Sequence, residues 1–432
     1  MNFKRISIFV LLFLFVLSFV FETFVCADAS KVEMNLEITS PVALLMESET
    51  GTILYEKNAY DKMYPASTTK IMTAILALEN CNLNDIATVS KNAVMSVPID
   101  YTNANLQIGE ELTIEDLLYA FLIPSANDCG YVLAEHIAGS TEKFADMMNS
   151  KAIELGCKNT HFTNPSGIQD ENHYSTAYDL ALIGRYAMKN ETFRKIVSTP
   201  SYNLPATNKY DSTDRRFVNT NFLIRESQPK YYYKYATGIK TGFTDDARDC
   251  VVASAKKDGI EYIAVILYAG YTESWLKEKF VDSVTLFNFS FSNYTTKSLG
   301  TQGQIFDKIK ISGATKDTKM LNVVLKDDIN AFVSNSEFDY SFEPNIVLND
   351  NLKAPITKGD ILGSVSYTVN DVVYSSDLIA GNDVEKANIF PIVLKVLLVL
   401  FILFFIVKLI RLRKYKKYKR KNYRKGSIKK KR

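Results

Sequence analysis

The chain is 432 residues long and 47 % apolar, enough for two to three domains with sizeable cores. Its 51 basic and 48 acidic residues give a formal net charge of +3. Cys81, Cys129, Cys157 and Cys250 fall at no disulfide-scaffold or metal-ligand spacing and sit in apolar contexts, so they read as buried free thiols and metal ligation has no support.

The near-neutral charge hides an uneven distribution. Lys4 and Arg5 precede an apolar run over residues 6–21, and Val25-Cys26-Ala27 supplies small residues for cleavage, so residues 1–27 read as a secretory signal. At the other end, residues 389–410 are apolar except for Lys395 and Lys408, and at about 1.5 Å per residue they reach across a bilayer core. Residues 411–432 then carry fourteen Lys or Arg and no acid, which predicts a cytoplasmic tail touching anionic lipid rather than nucleic acid. These three segments hold 18 of the basic residues and one of the acids, leaving a body with a net charge of about −14. Two independent signals thus place that body on the extracytoplasmic face of a single-pass membrane protein.

Between the ends, residues 42–46 and 53–56 read as strands joined by a polar turn ending in Gly51. Pro65-Ala66-Ser67-Thr68-Thr69-Lys70 follows and opens an apolar-periodic helix over 71–78. Positions i and i+3 share a helix face, so Ser67 and Lys70 point the same way and the amine can take the hydroxyl proton. The helix start also offers unpaired N–H groups for an oxyanion. With three histidines and no G-x-S-x-G elbow, a Ser-His triad is the weaker reading. After a polar passage over 80–110, Thr113 caps a helix to about Leu122, which Pro124 ends. Ser125-Ala126-Asn127 comes next, then a helix through Ile137, and another from Ser140 that Gly156 closes. A helix over 176–189 precedes three strand candidates, 233–240, 250–256 and 261–268, with Lys240-Thr241-Gly242 at the end of the first. A closing helix over 275–289 completes an α/β or α+β pattern with antiparallel hairpins. From 295 to 383 helical periodicity gives way to short β-type segments at 309–311, 321–325, 331–333 and 361–369, a small all-β domain.

S-x-x-K, S-D-N and K-T-G are the signature of class A β-lactamases and penicillin-binding proteins, and this chain carries the three in the same order with S-A-N as the middle element. On these motifs, with His161-Phe162-Thr163-Asn164-Pro165-Ser166-Gly167 and His173-Tyr174-Ser175-Thr176-Ala177 between the second and third, the chain resembles the low-molecular-mass penicillin-binding proteins, the serine D-Ala-D-Ala carboxypeptidases. The resemblance covers roughly residues 44–383. It implies a penicillin-binding/β-lactamase-like catalytic domain at 28–294, a β-rich domain at 295–383, the membrane helix at 389–410, and no cofactor. It implies that Ser67 attacks the penultimate D-Ala of a peptidoglycan stem peptide to form an acyl-enzyme, with Lys70 as base and β-lactams as covalent inhibitors. Ser125 would relay a proton to the leaving amine, Asn127 would hold Lys70 and the substrate amide, and Lys240 would supply positive potential and a hydrogen bond to Ser125. Thr241 would bind the terminal carboxylate, Gly242 would let the substrate lie along the strand, and the N–H groups of Ser67 and Phe243 would form the oxyanion hole. Phe243 stands where many relatives carry His. Lys279-Phe280-Val281-Asp282 is the segment matching an R-F-x-D stretch of relatives, whose Arg is thought to help hold the substrate carboxylate. The alternatives are a serine β-lactamase, against which the stretch after Asn127 offers no E-x-x-L-N element, and a slow wall-binding scaffold that keeps the pocket.

Overall fold

The computed structural model describes residues 36–211 and 214–428, so the secretory-signal reading of residues 1–27 lies outside the described residues. The chain divides into two compact units, one running to Thr296 and taking in Phe332–Asp339, the other holding Lys297–Ala331 and Tyr340 onward.

The first unit is built on an antiparallel sheet of β1 (Val42–Glu47), β2 (Ile53–Lys57), β3 (Ala236–Thr244), β4 (Arg248–Lys257) and β5 (Ile260–Ala269), in the order β2-β1-β5-β4-β3. Its central strands read as apolar runs rather than alternating patterns because both faces are covered. Val42, Leu44 and Met46 of β1 point into one core with Ile263, Val265 and Leu267 of β5. Ala43 and Leu45 point into the other with Tyr262, Ala264 and Ile266. The first core is closed by a helical cluster that includes α1 (Lys70–Asn80), α2 (Ile114–Leu122), α3 (Asn127–Ala138), α4 (Thr141–Glu154) and α5 (Ala177–Ala187). The second is closed by α6 (Glu278–Asn293) through Phe280, Leu286 and Phe287.

The caps lie where the residue types place them. Thr113 accepts from the Asp116 amide at 3.0 Å, and Ser140 accepts from that of Lys143. Four details differ from expectation. The predicted strand 233–240 runs instead from Ala236 to Thr244, straight through Lys240-Thr241-Gly242, and the closing helix starts at Glu278 rather than 275. The polar passage 80–110 holds the Lys91–Met95 helix and the Ile86–Thr88 strand, which pairs with Glu111–Thr113. Three of the four thiols are buried as expected and all are free, but Cys81 stands partly open at the end of α1.

In the second unit, Ile305–Lys310, Met320–Leu325, Val372–Ala380, Ile361–Val369 and Asn345–Leu348 form, in that order, an antiparallel sheet. Leu321, Val323, Val365 and Leu378 fill its core. The chain continues into a 39-residue helix, Phe390–Ile428. Its Phe390–Arg420 part is long and apolar enough to cross a membrane.

Candidate active site

Ser67 lies in a 3-10 turn, Ala66–Thr69, rather than in the α-helix itself. Pro65 sets it up: its carbonyl accepts from both the Thr68 amide (3.2 Å) and the Thr68 hydroxyl (2.7 Å). Ala66 enters at φ +46°, a left-handed conformation costly for a residue with a Cβ. A 3-10 turn has three residues per turn, so i and i+3 eclipse and Ser67 stands directly over Lys70. The Lys70 ammonium lies 2.9 Å from Ser67 Oγ. Its other two contacts are to acceptors, Asn127 Oδ1 (2.7 Å) and the Ser166 carbonyl (2.8 Å), which take two N–H donors and leave the third position of the nitrogen facing Ser67. Lys70 is fully buried while Ser67 keeps access to solvent. Burial above all, and then the charge of Lys240, hold the Lys70 amine well below the ordinary lysine pKa.

Ser125 sits in the interhelical loop at φ +73°, the second left-handed non-glycine at the site. Asn127 opens α3; its amide nitrogen Nδ2 and its backbone N both donate to the Thr102 carbonyl at 2.8 Å, which fixes the flip that points Oδ1 at Lys70. The loop holding Thr102 is itself tied down by buried Asp128, whose carboxylate accepts from the Ala104 and Leu106 amides.

The third motif lies along β3, which is an edge strand. Its free edge can take an added strand. Lys240 is buried, and burial followed by the charge of Lys279 brings its amine down to about 7. The expected bond from Lys240 to the Ser125 hydroxyl is not made among the described residues, because the amine folds back onto the Thr241 carbonyl at 2.9 Å. Thr241 Oγ1 pairs with Thr220 Oγ1 at 2.6 Å. At Gly242 the strand closes on the serine turn: a Cβ there would stand 3.0 Å from both Ser67 N and the Pro65 carbonyl oxygen. The glycine is needed for that approach. Phe243 presents its ring to solvent, 56 % exposed.

Ser67, Ser125, Asn127, Thr241, Gly242 and Phe243 line one cavity of about 550 Å³ together with Lys279. Lys240 stands in the same strand behind it. Several contributors escaped the sequence reading. The Ser166 carbonyl belongs to the Asn164-Pro165-Ser166-Gly167 turn, in which Asn164 Oδ1 accepts from the next three available amides, those of Ser166, Gly167 and Ile168. Gly167 presses on Ala66 so closely that a Cβ would fall 1.8 Å from its carbonyl oxygen. Thr220 and Thr102 come from loops without any motif. His173 is buried, bonded to Thr69 Oγ1 at 2.8 Å and to the Thr163 amide at 3.1 Å, with burial lowering its pKa to about 3. It is a neutral brace under the serine turn. No cluster of His, Cys, Asp and Glu suited to a metal ion occurs among the described residues.

A family model described as D-alanyl-D-alanine carboxypeptidase matches residues 28–270, and one for the C-terminal domain of penicillin-binding protein 5 matches residues 294–386. The chain is 33 % identical to the D-alanyl-D-alanine carboxypeptidase DacF of Bacillus subtilis over 91 % of its own length and 98 % of the relative's. Among solved structures it is similar to penicillin-binding protein 5 of Haemophilus influenzae (27 % identity, 81 % and 99 % of the two chains, TM-score 0.61). It is likewise similar to PBP3 of Streptococcus pneumoniae, described as a peptidoglycan synthesis regulatory factor (25 % identity, 81 % and 100 %, TM-score 0.69).

Proposed function

The chain belongs to the D-alanyl-D-alanine carboxypeptidase family, and on that premise we propose how its residues divide the work. The observation that carries the assignment is the 2.9 Å approach of the Lys70 amine to Ser67 Oγ in a buried, cationic setting. With its pKa lowered, Lys70 can stand as the neutral amine, whose lone pair accepts a proton, and Ser67 is the hydroxyl within its reach. Ser67 attacks the carbonyl of the penultimate D-Ala as Lys70 takes its proton. The N–H groups of Ser67 and Phe243 receive the oxyanion, an arrangement in which one donor is worth about 3–4 kcal/mol. The proton taken up by Lys70 is relayed through the Ser125 hydroxyl to the departing D-Ala amine, and water then attacks the acyl-enzyme, returns a proton to Ser67 and releases the shortened stem peptide.

Asn127 orients Lys70, and Lys240 supplies positive potential behind the cavity. Thr241 takes the terminal carboxylate, and Gly242 lets the peptide add to the free edge of β3. A β-lactam mimics the same amide and stays on Ser67 after its ring opens. The substrate is thus a peptidoglycan stem peptide ending in D-Ala-D-Ala. The body works outside the cytoplasm, tethered by the Phe390–Ile428 helix, with its basic end on the inner face.

The test is full-length protein with a D-Ala-D-Ala pentapeptide, followed by mass spectrometry, alongside Ser67→Ala and Thr241→Val. Loss of one D-Ala is expected from the wild type and none from Ser67→Ala, which also takes up no fluorescent penicillin. Thr241→Val keeps the branched strand shape and removes a charge-assisted hydrogen bond worth about 1.5–3 kcal/mol. Its kcat/KM should fall about ten- to a hundredfold on the acid and much less on a matched C-terminal amide. Labelling of Ser67→Ala equal to wild type refutes the nucleophile, and rapid repeated penicillin turnover makes the protein a β-lactamase instead.

A further inference from the structure

We propose that Asp249 is a positioning residue for recognition of the substrate's C-terminal carboxylate, holding Lys277 and Lys279 so that two ammonium groups at the cavity share one counter-charge. The proposal rests on the reading that the Ser67 cavity takes a peptide with a free C-terminus.

Asp249 is 2 % exposed and Lys279 5 %. One carboxylate oxygen of Asp249 accepts from the Lys279 amine, and the other from the Lys277 amine at 3.1 Å. Lys277 also donates to the Tyr271 hydroxyl at 3.0 Å. All four side chains line the same cavity as Ser67 and Thr241. Asp249 is the register partner of Phe243 across β3 and β4, two residues along from Thr241. Two cations on one anion leave a positive charge beside the cavity without a partner in the cluster, and an entering carboxylate completes it.

Stability alone does not explain the arrangement. Lys277 is the N-cap of α6 and Lys279 lies in its first turn, at the positive end of the helix dipole where cations are disfavoured. A local rule broken at a cavity wall is what a working site produces.

The experiment measures kcat/KM of the full chain on an acyl tripeptide ending in D-Ala-D-Ala and on the same peptide with a C-terminal amide. Asp249→Asn keeps the shape and removes the charge. Loss of an anchored charge-assisted contact predicts a fall of about tenfold or more on the acid. On the amide the change should stay within about twofold.

The groups facing the Lys279 amine are Asp249 and Cys250 of β4, Lys277 before it in the chain, and Lys240 of β3. Without the Asp249 charge the two amines repel unopposed, and Lys279 loses its proton at lower pH. The alkaline limb of the acid substrate's kcat/KM should therefore move to lower pH in Asp249→Asn, which a merely structural role would not cause. Equal losses on both peptides, or an unmoved limb, overturn the proposal. If Asp249→Asn does not fold, Lys277→Met is read the same way, with loss expected on the acid only and equal losses overturning it. A wild type indifferent to the C-terminal group would instead overturn the carboxylate-site reading on which this rests.

Discussion

Gly242→Ala isolates the contact that brings the strand and the serine turn together. The added methyl would stand 3.0 Å from Ser67 N, 3.0 Å from the Pro65 carbonyl oxygen and 3.1 Å from Ala66 Cβ. Ordinary carbon contacts lie at about 3.5–4.0 Å, so turn and strand must part by roughly 0.5 Å. Two of the three blocking atoms are backbone and cannot swing aside. Oxyanion donors act at about 2.7–3.1 Å, and half an ångström of separation takes one of the pair, Ser67 N–H or Phe243 N–H, out of that window. Complete loss of one donor costs about 10²–10³ in rate, which is the ceiling; a fall of roughly thirty- to several hundredfold is expected. Overpacking adds a stability loss of about 1–3 kcal/mol. The assay is the acylation rate with fluorescent penicillin, with thermal unfolding measured in parallel. Gly139→Ala is the control: Gly139 has φ +78° and a Cβ added there would meet nothing within 4 Å, so alanine strains the backbone without touching the serine turn. It should lower Tm and leave acylation intact. Acylation of Gly242→Ala within twofold of wild type would refute the reasoning, because the donor pair would then not depend on this approach.

Three other outcomes follow from the same geometry. Lys240 lowers the Lys70 pKa, so Lys240→Gln should raise it and move the acid limb of penicillin acylation to higher pH, whatever happens to the maximum; an unmoved limb removes Lys240 from the electrostatics of the base. His173 is held neutral with a pKa near 3 against about 6.5 when unfolded, so the stability it contributes is complete above pH 6.5 and is lost as pH falls towards 3, by up to about 5 kcal/mol. His173→Gln should therefore be less stable than wild type at pH 7 but lose less on acidification, and parallel Tm-versus-pH curves would count against this. External protease on intact cells should remove the body and spare an epitope placed after Arg432; loss of that epitope would put the tail outside.

Much of the site was legible because its chemistry sits in contiguous words. Ser67 and Lys70 are three residues apart in one turn, and Asn127 follows a proline-ended helix, so local rules suffice to aim each of them. The rest arrives through tertiary structure as groups without a residue-type signature. The Ser166 and Thr102 carbonyls that complete the shells of Lys70 and Asn127 could belong to any residue, and they come from 96 and 25 positions away. The available hint for the first was a glycine: Gly167 closes Asn-Pro-Ser-Gly at φ +77° where nothing larger clears Ala66. The misplaced strand end has a related cause. The expectation stopped β3 at Lys240, where the motif begins, whereas the chain turns only after Thr244. Taken by itself, a glycine weakens a strand. Here the missing side chain is what the neighbouring turn requires, and the ladder to β4, with Gly242 opposite Cys250 and Phe243 opposite Asp249, carries the strand through. Gly242 therefore marks where the strand meets the turn that carries Ser67.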